Sequence, residues 1–236
     1  METLEGIRVL DLATARGELA GRVLADLGAE VIKIEPPQGA DARRMPPFVE
    51  DHDDDPEHSL FWAAVGLGKY SVVLDLDTSE GVARVRALAG DADVLIESFA
   101  PGTLDDMGLG YRELSALNPR LIFTSITPYG QDGPLAQAPA TDLTIEAAGG
   151  LLGLQGDGDR PPIPMSLPQA SFHAGVQAGV DTIIALNERE LSGLGQHLDV
   201  SMQACVVWVL MNATGYPPMV GANPPGTSEY RNDPPN

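Results

Sequence analysis

The feature that most constrains this chain is a recurrence of short β-branched apolar runs separated by segments of helical periodicity. Ile7–Leu12 reads IRVLDL and Glu30–Glu35 reads EVIKIE; between them, within Gly17–Leu27, Leu19, Val23 and Leu24 recur at helical spacing. The theme then repeats. Ser71–Leu76 (SVVLDL) is strand-like, and Thr78-Ser79-Glu80 makes a polar start for a helix over Val82–Ala89. Asp93–Glu97 (DVLIE) and Arg120–Ile126 (RLIFTSI) flank a short helix at Tyr111–Leu117. Apolar runs of this kind alternating with helical segments predict an α/β fold, with crossover units and a parallel sheet covered on both faces. Downstream, Asp142–Leu154, Ala170–Leu186 and Met202–Thr214 read as helices, with a strand at His197–Val200. From Gly215 to Asn236 the chain is rich in proline and glycine and reads as a loop.

Composition narrows the function classes. Across 236 residues, 14 basic against 34 acidic side chains give a net charge of −20. Nucleic-acid affinity rests on clustered Lys and Arg, so such a partner is excluded. The only lysines are Lys33 and Lys69. A single cysteine, Cys205, rules out an internal disulfide framework and fits a reducing compartment; it lies in an apolar segment and reads as buried and inert. The longest apolar run, Ala204–Met211, is far short of the ~20 residues that cross a bilayer. The start METLEGIRVLDL has no basic-then-apolar signal pattern. A soluble, cytoplasmic chain without a membrane partner is therefore expected. The acidic cluster Glu50–Asp55, which includes His52, lacks the glycine and distal glutamate of a calcium loop and reads as a solvated surface loop.

Three segments carry candidate chemistry. Thr14–Gly21 follows the first strand with glycines at Gly17 and Gly21, where a helix N-terminus favours an anion, but the spacing is not the dinucleotide fingerprint. Gly66-Leu67-Gly68-Lys69 is a flexible turn presenting a lone lysine, either a phosphate contact or an ordinary solvent-facing side chain. Glu97–Gly102 directly follows the strand DVLIE, and loops at the carboxyl ends of parallel strands are where ligands bind. Its Phe99 either stacks on a planar ring or plugs the core. His173, on a helix with apolar Phe172, Val176 and Val180, reads as packed.

LADLGAEVIKIEPP, GLGKYSVVLDLDTSEG, ADVLIESFAPGTLDDMGLGYRELSALNPRLIFTSITPYGQDGP, ATDLTIEAAGGLLGLQG and IIALNERELSGLGQHLDVSM follow one another in this order. In that order they resemble the family III CoA-transferases, a family that includes formyl-CoA and carnitine CoA-transferases and α-methylacyl-CoA racemases. The resemblance implies a Rossmann-like large domain over residues 1–214. It also implies that 215–236 is a linker towards a small domain not present here, and that the chain works as an interlocked homodimer or a heterodimer with a paralogous subunit. CoA and acyl-CoA enter as substrates, with no tightly bound cofactor and no metal.

The resemblance also places residues. Leu67, Gly68, Lys69, Ser98 and Phe99 fall on CoA-binding positions, Ser98 replacing the usual asparagine. The nucleophilic aspartate of the family falls on Ser171, which cannot form the carboxylic anhydride. Asp142 is then the nearest matched carboxylate. Thr141 stands where racemases carry a histidine, Asp106 where relatives usually have an arginine, and Pro36 where some are basic. The activity implied is transfer of CoA from an acyl-CoA donor to a carboxylic acid. The alternatives are a non-catalytic CoA-binding or structural subunit that partners an active paralogue, and a 2-methylacyl-CoA racemase.

Overall fold

A computed structural model describes residues 3–52, 55–155 and 160–221. The strands are β1 (Arg8–Leu12), β2 (Glu30–Glu35), β3 (Lys69–Val73), β4 (Val94–Glu97), β5 (Ile122–Thr127) and β6 (His197–Ser201). The helices are α1 (Glu18–Asp26), α2 (Leu60–Val65), α3 (Ser79–Ala89), α4 (Thr103–Asp106), α5 (Tyr111–Leu117), α6 (Asp142–Gly149), α7 (Gln169–Ser192), α8 (Met202–Val209) and α9 (Met211–Val220). The six strands form one sheet in the order β3-β2-β1-β4-β5-β6, every pair parallel. This is the expected α/β architecture. The order reverses between β1 and β4, so the two loops that leave these strands diverge and open a crevice at their carboxyl ends.

The sheet separates two cores. Val9, Val31, Val94, Ile96, Ile122 and Ile126 face α1, α6, α7 and α8 on one side. On the other, Leu10, Leu12, Leu95 and Phe123 face α3, α4 and α5. Successive residues of a strand point to opposite faces, so strands covered on both sides must be apolar throughout. β4 and β5 are buried at every position. β3 departs from the expected two-sided cover: it is the sheet edge, and Tyr70 and Val73 are 66% and 59% exposed. It also starts two residues before the expected Ser71, which brings Lys69 into the strand.

Helix α7 is the spine of the first layer. Its buried face is built from Ala170, Ser171, Ala174, Gly175, Ala178, Gly179, Thr182 and Ala185. Small side chains let it lie close against α1. A Cβ on Gly175 would sit 2.8 Å from the Leu19 Cβ, and one on Gly179 3.0 Å from Val23 Cγ1. The helix runs six residues beyond the expected Leu186 and ends at Gly193, whose φ of 76° is the left-handed stop that glycine adopts without strain.

Three short elements escaped the periodicity. One is α2, started by the Ser59 hydroxyl accepting the Trp62 N–H at 3.1 Å; another is α4, a single turn; the third is a 3-10 turn at Asp41–Arg44. At the other end, α9 continues through Gly215 to Val220, into the segment expected to be a loop. Gly215, Pro217 and Pro218 all lie within it, residues that cost about 1 kcal/mol (Gly) and about 3 kcal/mol (each Pro) inside a helix, which is why the sequence reads as a loop there. The rest of the expected linker, 222–236, lies outside the described residues.

Gly175→Leu should force α7 away from α1, lowering unfolding stability by about 1–3 kcal/mol through overpacking. Urea midpoints of the two proteins measure it; an unchanged midpoint would show that the close approach contributes nothing.

Candidate functional site

A cleft of about 410 Å³ opens at the carboxyl ends of β1, β2 and β3, on the side of the switch point where β1 meets β4. Leu12, Ile34, Pro37, Leu74, Met107 and Phe99 make its apolar walls. Phe99 is half-buried in that wall and packs against the second core, so it presents a ring to the cleft and seals the interior at once. Ser98, 2% exposed, ties the two diverging loops: its hydroxyl accepts the Thr14 N–H at 2.8 Å and meets the Thr14 hydroxyl at 2.8 Å. The cleft is poor in positive charge. Asp41, Asp75 and Asp77 line it, and Arg44, hydrogen-bonded to the Gln38 carbonyl, is its one exposed cation among the described residues.

Lys69 is elsewhere. The turn Leu67–Gly68 enters β3 at its amino end, opposite the edge where the cleft opens, and neither residue lines it. The expected exposed lysine is corrected by its burial: the Lys69 side chain is 1% exposed. Its ammonium donates to Asp11 Oδ2 at 2.7 Å, Glu18 Oε2 at 2.6 Å and the Glu18 carbonyl at 2.7 Å, which uses all three donors and leaves none for a phosphate. Lys33, equally buried, meets Glu18 Oε1 at 2.6 Å, Asp11 Oδ1 at 3.5 Å and the Ala13 carbonyl. Burial alone would neutralise Asp11, but the charges of Lys33 and Lys69 override it and hold the carboxyl below the usual range. Both lysines of the chain therefore stand in one buried tetrad under the cleft.

At the cleft's outer lip, Glu35 is clamped by Arg43 Nε at 2.7 Å and Nη2 at 2.8 Å, by the Ser71 hydroxyl and by the Ala40 N–H. Burial opposes its ionised form, yet these donors hold its carboxyl at about 2.

Asp142 and Ser171 are brought together, on the far side of the β1–α1 loop from the cleft. Ala15 of that loop and Phe172 of α7 both pack on the Ala42, Phe61 and Val65 cluster, whereas Ala13 and Thr14 line the cleft. Asp142 Oδ1 accepts the Ser171 N–H at 2.8 Å and the Ser171 hydroxyl at 2.7 Å, and Oδ2 accepts the Ala170 N–H at 3.1 Å. The carboxylate thus caps α7, satisfying N–H groups that the helix itself leaves unpaired. Glu146, one turn along α6 and 3% exposed, has its carboxyl pushed up to about 7 by burial and by the hydrogen bond and charge of Asp142. Thr141 caps α6, its hydroxyl accepting the Thr144 N–H.

A second cavity, about 230 Å³, lies beyond α4 and was not foreseen. Glu97 hydrogen-bonds Ser125, whose hydroxyl meets His197 Nε2 at 2.9 Å, and Tyr111 stacks on the imidazole with centroids 5.3 Å apart. Burial pushes Glu97 up to about 7 and His197 down. The carboxyl touches the serine rather than the imidazole, so the orienting contact of a hydrolytic triad is missing. Only the pairing of β4, β5 and β6 reveals this chain, since its members are 28 and 72 residues apart in sequence.

A doubly wound parallel sheet with an apolar cleft at its switch point places the chain among α/β domains of Rossmann-like topology. The sequence profile of CoA-transferase family III matches residues 4–236, and the chain belongs to that family. It is 39% identical to the succinate–glutarate CoA-transferase of Agrobacterium fabrum, covering 96% of this chain and 59% of that protein. To the beta subunit of the succinyl-CoA–L-malate CoA-transferase of Chloroflexus aurantiacus it is 37% identical, over 86% of this chain and 50% of that one. A crystal structure of a CaiB/BaiF family protein from Brucella suis superposes with a TM-score of 0.89 at 37% identity, covering 96% of this chain and 60% of that one. The chain thus spans about half of the curated relatives it matches.

Lys69→Met should leave Asp11 and Glu18 sharing one buried cation and cost about 3–5 kcal/mol of unfolding stability, read from urea melts. Were stability unchanged, the tetrad would not be what fixes α1 on the sheet.

Glu97 sets a pH dependence. The native carboxyl keeps its proton to about 7, whereas in the unfolded chain it loses it near ~4.3. Between those values the native state binds more protons, so its contribution falls as pH rises. Glu97→Gln should match wild type near about pH 4 and exceed it by about 1–3 kcal/mol near about pH 8. Glu146 titrates in the same direction and preserves part of the slope. Equal stability of variant and wild type at the higher pH would contradict the buried, protonated state.

Proposed function

We propose that this chain serves CoA transfer from an acyl-CoA donor to a carboxylic acid acceptor, with CoA lying in the switch-point cleft. The observation that carries the reading is the cleft itself, an apolar slot walled by Phe99 at the carboxyl edge of a sheet in a family III chain. Phe99 offers its face to the adenine, and Ser98 fixes the loop that presents it. Arg44 supplies the phosphate contact in place of Lys69. CoA and acyl-CoA act as substrates and leave with each turnover, so no cofactor is held.

In this reading Asp142 is the carboxylate that attacks the thioester. Its oxygen bonds to the acyl carbon as the CoA thiolate leaves, giving a mixed anhydride. The thiolate then attacks the aspartyl carbonyl and releases the acyl group as its carboxylate. The aspartyl-CoA thioester passes CoA to the acceptor by the same two steps in reverse. The large domain runs through the end of α9 rather than stopping at residue 214, the residues after it lead towards a further domain, and a second subunit, identical or paralogous, completes the assembly in the cytoplasm. A relative bearing the name of a beta subunit supports the paired arrangement. Among the described residues no helix is long and apolar enough to cross a membrane.

Ser171 favours a second reading, a CoA-binding subunit without its own nucleophile. Its hydroxyl is spent on Asp142, and that carboxylate is spent on capping α7. Two-base racemisation lacks the histidine that Thr141 replaces.

Calorimetric titration with CoA and an exchange assay with a labelled acid separate these readings. Phe99→Ala should weaken CoA about tenfold, the size of one lost base–aromatic stack. Arg44→Ala should weaken it and flatten its salt dependence. Asp142→Asn, which still accepts the α7 N–H groups, should abolish exchange with CoA affinity intact. CoA binding without exchange, together with a hydroxylamine-trapped adduct at position 171 only in Ser171→Asp, selects the subunit reading. No binding of CoA counts against both.

A further inference from the structure

We propose that the loop before α2 holds a divalent transition metal of the zinc type through His52, Asp55 and His58. The three residues are spaced i, i+3 and i+6, and the backbone turns that spacing into convergence. The His52 N–H reaches the Val49 carbonyl at 3.0 Å, the Asp55 N–H the His52 carbonyl at 3.1 Å, and the His58 N–H the Asp55 carbonyl at 2.9 Å. The Val49 N–H closes the loop on the His58 carbonyl at 3.0 Å, and an antiparallel bridge between Phe48 and Ser59 clamps its base. One ligand atom from each of the three residues lies within 4.8 Å of the other two.

That spacing is close to what a metal needs. Two ligands at about 2.0–2.1 Å from zinc, at a tetrahedral angle, stand roughly 3.3 Å apart. His58 Nδ1 and Asp55 Oδ2 are already 2.8 Å apart. The imidazoles of His52 and His58 are stacked, with centroids 3.8 Å apart and planes 12° from parallel. Their in-plane lone pairs cannot both meet one ion in that arrangement, so His52 must swing out of the stack. It is exposed and has room to do so.

The electrostatics favour a cation. Among the described residues no lysine or arginine pairs with Asp55, whose carboxylate accepts only the Glu57 N–H and the His58 ring nitrogen. The nearby Arg43 is committed to Glu35 and Glu57. Glu50 and Asp51 add negative charge beside the loop, which raises the local concentration of cations. Two imidazoles and one carboxylate are donors of the zinc, nickel and copper class, whereas calcium and magnesium take oxygen ligands almost alone. Waters complete the coordination at this exposed position. Through Glu57 and Arg43 the loop is joined to Glu35 at the lip of the cleft, so a bound ion would staple the outer wall of that lip. The site stands independently of the CoA reading.

Zinc chloride titrated calorimetrically into the metal-free full chain should saturate at one equivalent, with magnesium giving no saturation at the same concentrations. Cobalt(II) should give the visible absorption of a low-symmetry nitrogen-and-oxygen site. His52→Ala, His58→Ala and Asp55→Asn should each weaken zinc at least tenfold, while His173→Ala leaves it unchanged. His52 is exposed, so its variant keeps the test sound if His58→Ala fails to fold. Zinc affinity unaltered by His52→Ala, a stoichiometry of one ion per two chains, or magnesium binding as tightly as zinc would each overturn the proposal.

Discussion

Four ionisable side chains sealed between α1 and the sheet hold the rest in place, with burial raising the carboxyl of Glu18 against the pull of the two lysines. Asp11 comes from β1, Glu18 from the start of α1, Lys33 from β2 and Lys69 from β3, and each is at most 1% exposed at its side chain. Burying a charge without a partner is prohibitive, so the group forms only when three adjacent strands and one helix are in register together. A slip of one residue in any strand would turn its charged side chain to the other face. The tetrad therefore selects a register more than it adds stability. It also spends the chain's entire supply of lysine on the interior, leaving arginine as its only cationic side chain at the surface.

The position of the cleft follows from the order of the strands. Because β1 lies between β2 and β4, the chain crosses to opposite sides after them, and the Thr14 and Phe99 loops part at the carboxyl edge. The Ser98–Thr14 hydrogen bonds set how far they part. On the other side of the same loop, the glycines of α7 let that helix come down on α1, which brings its N-terminus, with Ser171, beside Asp142. One loop thus has the cleft on one side and the carboxylate cap on the other.

Most of this architecture was legible in the sequence, because apolar strands buried on both faces leave an unbroken signature. IRVLDL, EVIKIE, DVLIE and RLIFTSI all became central strands. The sheet edge was less legible. SVVLDL is as apolar as its neighbours, yet β3 is largely exposed, and nothing in its composition shows that no strand lies outside it. Short elements such as α4 and the turn at Asp41–Arg44 are below the length at which periodicity has meaning. Side-chain partners were legible only where they are local, as at Thr78, which caps α3 by accepting the Gly81 N–H. Lys69 misled because a glycine-flanked lysine reads as exposed, whereas its burial depends on carboxylates 58 and 51 residues away. Glu97, Ser125 and His197 were illegible for the same reason.

Serine at position 171 shapes how the neighbouring carboxylate is used. Serine offers a donor where a carboxylate would offer only acceptors, and here the Ser171 hydroxyl and its own N–H converge on a single oxygen of Asp142. Two carboxylates could not share that geometry without a proton between them, since like charges so close together cannot both stay ionised. With serine, Asp142 settles as the cap of a 24-residue helix, and its lone pairs are taken up by donors. Glu146 feels the consequence: the negative charge retained on Asp142 adds to burial in favouring its protonated form up to about 7. A carboxylate tied this way must release at least one donor before it can attack a thioester. Nucleophilic chemistry at Asp142 therefore requires the first turn of α7 to yield, and the small residues that pack that helix against α1 resist such movement.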